Sequence, residues 1–249
     1  MDMNGLWIGK TGDGNAWYHI FPFVKSINTN KLHVVRYKHP QRQIIDDKIE
    51  FHYFKFNNRF YEGVNFFLTG FKVLKKNKID YIVTFNLVPW GAISWFLAKI
   101  FNKPIIIGLI GTDFNKYIYK KKSFLFKHIL FSSDAITVTG ESMMQFFLKK
   151  NISDKVFVYP HCLPDDWFKR KKISNVNKCD IISISELKSN KRTIDIVKAL
   201  FHLKKEGINL NLKILGIGPE ESYLKNEVKK MNLEKNVQFL GYQKDVFSH

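Results

Sequence analysis

The 249-residue chain has little cysteine and carries no recognisable export signal. Its two cysteines, Cys162 and Cys179, lie in unrelated surroundings and match no metal-ligand spacing. The first ten residues, M-D-M-N-G-L-W-I-G-K, lack the basic region and the long apolar core of a secretion signal. We therefore expect reduced thiols in a cytoplasmic protein.

Acidic side chains are also scarce. Twenty-two Asp and Glu stand against 40 Lys and Arg, which gives a formal net charge of +18, and residues 1–150 carry 22 of the basic and 10 of the acidic side chains. A field of this sign favours an anionic partner, so nucleic acid, an anionic membrane surface and an anionic acceptor all stay open. The alternative is a compositional habit of a sequence rich in Lys, Asn, Ile and Phe.

One uncharged stretch, residues 81–98, has the length of a membrane span. Asn86, Pro89 and Gly91 interrupt it, which favours a strand over 79–85, a turn, and a helix over 90–101. We interpret this stretch as part of a soluble core.

Strands and helices alternate along the chain. After residue 179, an apolar run rich in β-branched residues predicts a strand. A helical pattern follows and ends at Gly207, which is placed as a C-cap. Its apolar residues are Ile194, Val197, Leu200 and Phe201. A strand over 210–215, the turn G-I-G-P, a helix over 220–231 and a strand over 237–240 follow. Earlier strands are predicted over 5–9, 31–37, 49–56, 79–85, 104–110, 135–139 and 155–159. This alternation predicts an α/β protein with parallel sheets covered on both faces.

Two helical patterns in the first part predict buried side chains. The helix over 60–76 is expected to bury Val64, Phe67, Leu68, Phe71 and Leu74. Residues 116–131 interleave lysines with aromatics. One interpretation is a helix with a solvated lysine face that buries Phe124, Leu125, Ile129 and Leu130. The other is a surface element that inserts its aromatics into an anionic bilayer.

The loop after the first predicted strand is a candidate anion site. Its G-K-T at residues 9–11 is not a P-loop, because that loop needs a glycine five positions earlier, where Asn4 stands. Gly12 and Gly14 precede a helical pattern and remain candidates for a phosphate-binding turn. A tight turn without a ligand is the alternative.

Polar residues near other strand ends are further candidates. Thr112 and Asp113 follow the strand over 104–110, and open parallel sheets bind ligands beyond the carboxyl ends of their strands. The alternative for Asp113 is a cap on the next helix. His19 and His161 are candidate bases, although a lone histidine is more often packed in a core.

Several segments resemble the family 4 retaining glycosyltransferases, which have the GT-B fold. They are I-S-I-S-E-L-x-x-x-K, L-K-I-L-G-I-G-P-E, N-V-Q-F-L-G, P-I-I-I-G-L-I-G-T-D and D-A-I-T-V-T-G-E-S. The resemblance implies two Rossmann-type parallel sheets, with an acceptor-side domain over 1–168, a linker over 169–178 and the first half of a nucleotide-sugar domain over 179–249. The paired glutamates that grip the donor sugar in the family would follow residue 246. A truncated product, or a second chain that completes the domain, is therefore expected.

The resemblance also implies roles for individual residues. The donor-binding residues would be Gly12, Gly14, Lys191, Arg192 and Gly216. The acceptor-binding residues would be His19 and Thr112, and the catalytic residue would be Asp113. The family neutralises the departing diphosphate with basic side chains and helix N-termini, and this sequence has no Asp-x-Asp pair, so neither a metal nor another cofactor is expected. Three positions depart from the family: Ile110 replaces a His, Glu186 an Arg and Arg192 a Gly.

The function implied by this resemblance is transfer of a sugar from a UDP- or GDP-linked donor to a glycan or lipid-linked glycan in surface polysaccharide synthesis, at the inner membrane face. The alternative is a non-catalytic remnant or subunit that acts in binding or assembly, which the absent glutamates and the departures at Ile110 and Glu186 favour. Nucleic acid is not an expected partner, because the sequence has no recognised nucleic-acid-binding module.

Overall fold

The computed structural model describes residues 2–10, 13–37, 46–54, 61–118, 124–160, 179–243 and 245–246. The chain divides into two compact units, Met1–Trp167 and Phe168–His249. The expected linker over 169–178 lies outside the described residues, as do Gly12, His161 and Cys162.

The first unit alternates strands and helices as predicted. Its elements are β1 (Met3–Ile8), α1 (Asp13–Lys25), β2 (Thr29–Arg36), β3 (Ile49–Tyr53), α2 (Glu62–Lys76), β4 (Tyr81–Phe85), α3 (Ala92–Phe101), β5 (Ile105–Leu109), α4 (Gly111–Asp113), α5 (Phe124–Phe131), β6 (Ala135–Val138), α6 (Glu141–Leu148) and β7 (Val156–Val158). The strands form one sheet in the order β3-β2-β1-β4-β5-β6-β7, and every neighbouring pair is parallel. The uncharged stretch 81–98 becomes β4, a helical turn over Leu87–Gly91 and the start of α3.

Both faces of this sheet are covered. Leu6, Ile8 and Val35 pack with α2 and α3 on one face. Trp7, which is the next residue along β1 from Leu6, packs with α1 on the other face. The alternation of side chains along each strand thus divides the core into two layers.

The predicted buried face of α2 was partly wrong. Val64 and Leu68 are about half exposed, and the buried residues are Phe66, Gly70, Val73 and Leu74. A Cβ at Gly70 would lie 2.8 Å from a methyl carbon of Leu97, so the helix turns its glycine toward the core for a close approach to α3. The periodicity counted only apolar side chains and therefore missed this contact.

The expected burial of Phe124 and Leu125 in α5 was also wrong. Ile129 and Leu130 are buried, but Phe124 and Leu125 are 82% and 62% exposed. The two exposed side chains lie in the first turn of α5, and the two buried ones lie in its second half.

The second unit is a smaller parallel sheet. Its elements are β8 (Ile181–Ile184), α7 (Thr193–Lys205), β9 (Leu212–Leu215), α8 (Glu221–Lys230) and β10 (Val237–Gly241), and the strand order is β10-β9-β8. Both helices pack on one face, around Leu200, Ile214 and Leu224. Gly207 follows α7 with φ +83°, as the predicted C-cap requires.

Within the described part of the chain, none of the helices combines the length and the apolar character that crossing a membrane demands. Cys179 carries a free thiol.

Candidate functional site

A pocket of about 600 Å³ lies in the second unit, beyond the carboxyl ends of its three strands. Most of its lining residues directly follow the strands. Ser185 and Glu186 follow β8, residues 216–218 follow β9, and Tyr242 and Gln243 follow β10. Parallel sheets characteristically bind ligands at this edge, because successive loops converge there.

Close backbone packing shapes the pocket at the turn after β9. A Cβ at Gly216 would lie 1.9 Å from the carbonyl oxygen of Ser185, and a Cβ at Gly218 would lie 2.3 Å from that of Leu187. Gly216 also has φ +139°, which side chains disfavour. The backbone N–H of Leu187 donates to the carbonyl of Ile217 at 3.0 Å and ties the two loops together. The G-I-G-P turn therefore has a structural reason for its glycines, and it brings bare backbone to the pocket wall.

The acidic side chain in the pocket is paired. Glu186 Oε1 lies 2.8 Å from Lys188 Nζ, and both side chains are about half exposed. Lys188 was not singled out from the sequence, since a pair two residues apart in a loop has no periodic signal. Its charge offsets the carboxylate that stands where the resembling family has an arginine.

The two basic residues expected at the donor site lie at the start of α7. Lys191 ends a short 3₁₀ turn over Ser189–Lys191, and Arg192 follows with φ +54°. Arg192 Nε donates to Asp195 Oδ2 at 2.5 Å, and this hydrogen bond and the charge of Asp195 raise the pKa of Arg192. Arg192 and Lys188 line a second depression of about 290 Å³. Of the donor residues expected from sequence, Gly216 lines the pocket of about 600 Å³. Arg192 lines the smaller depression, and Lys191 is among the lining residues of neither.

In the first unit, Asp113 is buried at the carboxyl end of β5. The residue is 4% exposed, and its Oδ2 accepts the backbone N–H of Leu87 at 3.0 Å. Burial raises the pKa of Asp113 to about 6, against backbone hydrogen bonds from Leu87 and Ile110 that lower it. The carboxyl thus accepts hydrogen bonds from the first residue of the helical turn after β4 and from Ile110, the residue before α4.

His19 lies near the same strand end. It is buried on α1, and its ring centroid is 4.2 Å from that of Phe85, the last residue of β4. Because Asp113 bonds Leu87, two residues further on, His19 and Asp113 both border the carboxyl end of β4. Gly14 lies in the first turn of α1, and Thr112 lies in α4.

Two family profiles match the chain. That of the family described as glycosyl transferase 4-like matches residues 11–140, which is more than half of the 249 residues. That described as glycosyl transferases group 1 matches residues 165–248. The second match begins at residue 165, close to the boundary between the two compact units, and residues 141–164 belong to neither match.

A curated relative and several solved structures are similar to the chain. Protein CapJ of Staphylococcus aureus is 26% identical over 167 residues, which are 61% of this chain and 41% of CapJ. The chain thus spans less than half the length of this curated relative.

The Anabaena protein Alr3699/HepE in complex with UDP has a TM-score of 0.66 at 14% identity and covers 100% of this chain and 71% of its own. The lipopolysaccharide outer core galactosyltransferase WaaB has a TM-score of 0.60 at 12% sequence identity, and the match covers 98% of this chain and 69% of WaaB. The UDP-GlcNAc 2-epimerase from Neisseria meningitidis bound to UDP-GlcNAc has a TM-score of 0.63 at 14% sequence identity, and the match covers 100% of this chain and 73% of the epimerase. At these identities the likeness concerns the fold alone, and it confirms the predicted GT-B-like α/β class with two Rossmann-type parallel sheets.

Proposed function

The chain belongs to the glycosyl transferase 4-like family, and we propose that it takes part in the transfer of a sugar from a nucleotide-diphosphate sugar. The observation that carries this proposal is the pocket beyond β8, β9 and β10, in the part of the chain that matches glycosyl transferases group 1. UDP is favoured over GDP as the nucleotide, because the HepE and epimerase neighbours hold UDP or a UDP-sugar.

The start of α7 supports a diphosphate site. Lys191 and Arg192 place two positive charges at the positive end of a 13-residue helix, an arrangement that an anion would stabilise. Asp195 engages Arg192, which leaves Lys191 as the residue we assign to the diphosphate. Tyr242 is exposed at the rim of the pocket and offers its ring to the nucleobase. No metal is required in this scheme, since lysine neutralises the departing charge.

For the acceptor side we propose the residues at the carboxyl end of β4. Asp113 would act as the catalytic carboxyl, and a pKa of about 6 suits proton exchange near neutral pH. His19 and Thr112 would contact the acceptor, and Gly12 and Gly14 would contact the donor phosphates. A retaining transfer is the stereochemical outcome that we propose from the resemblance.

Among the described residues of the second unit, both helices pack on the same face of the sheet, and the other face supports a larger donor domain than these residues form. Ile182 and Ile184 point away from α7 and α8 and are 40% and 54% exposed. We propose that further residues, from a longer chain or a second one, cover this face and supply the paired glutamates. A non-catalytic binding or assembly subunit is the second candidate, which the departures at Ile110 and Glu186 favour.

A lipid-linked or glycan acceptor in surface polysaccharide synthesis is the acceptor class that we propose, because WaaB acts on lipopolysaccharide outer core. Phe124 and Leu125 are exposed beside Lys127 at the start of α5, which supports contact with an anionic inner membrane face. Lys120, Lys121 and Lys122 lie outside the described residues.

Calorimetric titration of UDP and GDP tests the donor site. We expect UDP to bind the 249-residue chain and Lys191→Ala to weaken binding about 10- to 150-fold, because a charge-assisted hydrogen bond is worth about 1.5 to 3 kcal/mol. Lys198→Ala, at an exposed position further along α7, is the matched control. Equal affinities for the two variants would remove Lys191 from the site.

A transferase assay with UDP- and GDP-sugars tests the activity. We expect no turnover by these 249 residues alone, because groups that orient the donor sugar can contribute roughly 7 to 11 kcal/mol to barrier lowering. Activity restored by a polypeptide that supplies the glutamate helix would support a split or longer enzyme. Robust turnover by the 249 residues would contradict our account of the donor domain.

A further inference from the structure

Two histidines and a glutamate meet at the edge of the first sheet. β3 is the outermost strand of the described sheet and pairs in parallel with β2, so that His33 stands opposite Glu50 and Val35 opposite His52. Glu50 and His52 are two residues apart and share one face of β3. That face also carries His33, so the three side chains converge.

The spacing of their ligand atoms matches a tetrahedral metal centre. His33 Nδ1 lies 3.0 Å from His52 Nε2 and 3.8 Å from Glu50 Oε2, and His52 Nε2 lies 3.6 Å from Glu50 Oε1. An ion with bonds of about 2.0 to 2.1 Å in tetrahedral geometry places its ligands about 3.3 Å apart. The two nitrogens lie slightly closer together than this value, and each nitrogen lies slightly farther than this value from a different oxygen of Glu50.

The two imidazoles face each other through ring nitrogens. His33 Nδ1 and His52 Nε2 lie 3.0 Å apart and form a hydrogen bond in which one ring donates and the other accepts. A divalent cation between the two rings would instead accept a lone pair from each nitrogen.

One oxygen of the Glu50 carboxylate faces Lys31, and the other faces His52. Lys31 Nζ lies 3.2 Å from Glu50 Oε2, so Oε1 remains for a metal on the side of His52. The side chain of Glu50 is 43% exposed and that of His52 is 21% exposed, which gives an ion a path from solvent. Lys31 would then hold the carboxylate as an outer-shell partner, as is usual for metal-bound carboxylates.

We propose that His33, Glu50 and His52 bind a divalent transition metal, with zinc as the preferred ion, and that this metal ties edge strand β3 to β2. Two imidazoles and one carboxylate form a ligand set that zinc accepts, with a fourth position for water. The site belongs to the first unit and is independent of the proposed sugar transfer. Its role is structural, because it joins two strands across an exposed sheet edge.

Metal titration of the chelator-treated 249-residue chain tests this proposal. Equilibrium dialysis against Zn²⁺ with elemental analysis should give one tightly held ion per chain, and Co²⁺ should give the intense visible absorption of a tetrahedral site. Glu50→Gln and His52→Gln should each weaken Zn²⁺ binding more than 10-fold and abolish the rise in Tm that Zn²⁺ produces in the parent chain.

The matched control is His202→Gln, an exposed histidine of α7 in the second unit. It should bind Zn²⁺ as the parent chain does. Circular dichroism identifies any variant that does not fold, and the two ligand substitutions test the site independently of each other. Binding that is equal in all three variants, or Co²⁺ spectra without tetrahedral absorption, would overturn the proposal.

Discussion

The buried carboxyl of Asp113 should make the stability of the first unit depend on pH. Asp113 is 4% exposed, and burial raises the pKa of its carboxyl from 3.8 to about 6. At about 1.4 kcal/mol per pKa unit, ionising this group in the folded chain costs about 3 kcal/mol relative to the unfolded chain. Asp113→Asn removes the titration but keeps an oxygen that can accept the N–H of Leu87.

The sign of the effect follows from the raised pKa. The folded chain keeps its proton on Asp113 at pH values where the unfolded chain has lost it, so this contribution to stability is fully present below pH 3.8 and is lost as the pH rises through about 6. Between pH 4.5 and pH 7.5 the free energy of unfolding should therefore fall by about 2 kcal/mol more in the parent chain than in Asp113→Asn.

Urea unfolding followed by tryptophan fluorescence measures this difference, because all five tryptophans lie in the first unit. Comparing the variant with the parent at each pH cancels any pH-independent cost of the amide. Asp154→Asn, an exposed carboxylate in the same unit, should change the difference by less than about 0.5 kcal/mol. If Asp113→Asn changes the pH dependence no more than Asp154→Asn does, the carboxyl is not the buried acid described here.

Two further predictions concern the pocket turn and the membrane face. Gly216→Ala should destabilise the second unit by several kcal/mol in thermal unfolding, because its Cβ would lie 1.9 Å from a carbonyl oxygen. Gly207 also has a positive φ, but no atom lies near its missing Cβ, so Gly207→Ala should reduce the stability by only about 1 kcal/mol. Equal losses of stability in the two variants would contradict the packing argument. Replacing Phe124 and Leu125 with Ser should reduce co-sedimentation with anionic vesicles, whereas Ile27→Ser, 90% exposed elsewhere, should not. Binding that ignores lipid charge and salt would exclude this surface.

The sequence predicted the order and type of the elements, because buried parallel strands are continuous β-branched runs and glycines such as Gly207 end helices. It predicted the buried face of α2 less well, because that face centres on Gly70, between Phe66 and Val73, where the helix approaches α3 closely. Helix periodicity cannot recognise a glycine that is buried for close approach.

The sites depended on contacts that are distant in sequence. The position of Asp113 at the end of its strand was expected from the sequence. Its hydrogen bond from Leu87, which follows the neighbouring strand β4, has no local sequence signal. His33 and Glu50 meet only because β2 and β3 pair in one register, which the sequence did not specify. Gly216 could be singled out from the sequence because a glycine in a turn after a strand is a local feature, and the structure places it in the pocket wall.

Backbone amide NMR of the ¹⁵N-labelled 249-residue chain, recorded while UDP is added, tests the central claim most directly. The account predicts saturable shifts concentrated at residues 184–186, 215–218 and 242–243, which line the pocket beyond β8, β9 and β10, and at Lys191, which we assign to the diphosphate. The absence of shifts at millimolar UDP, or shifts confined to the first unit, would contradict a nucleotide-sugar site in this chain.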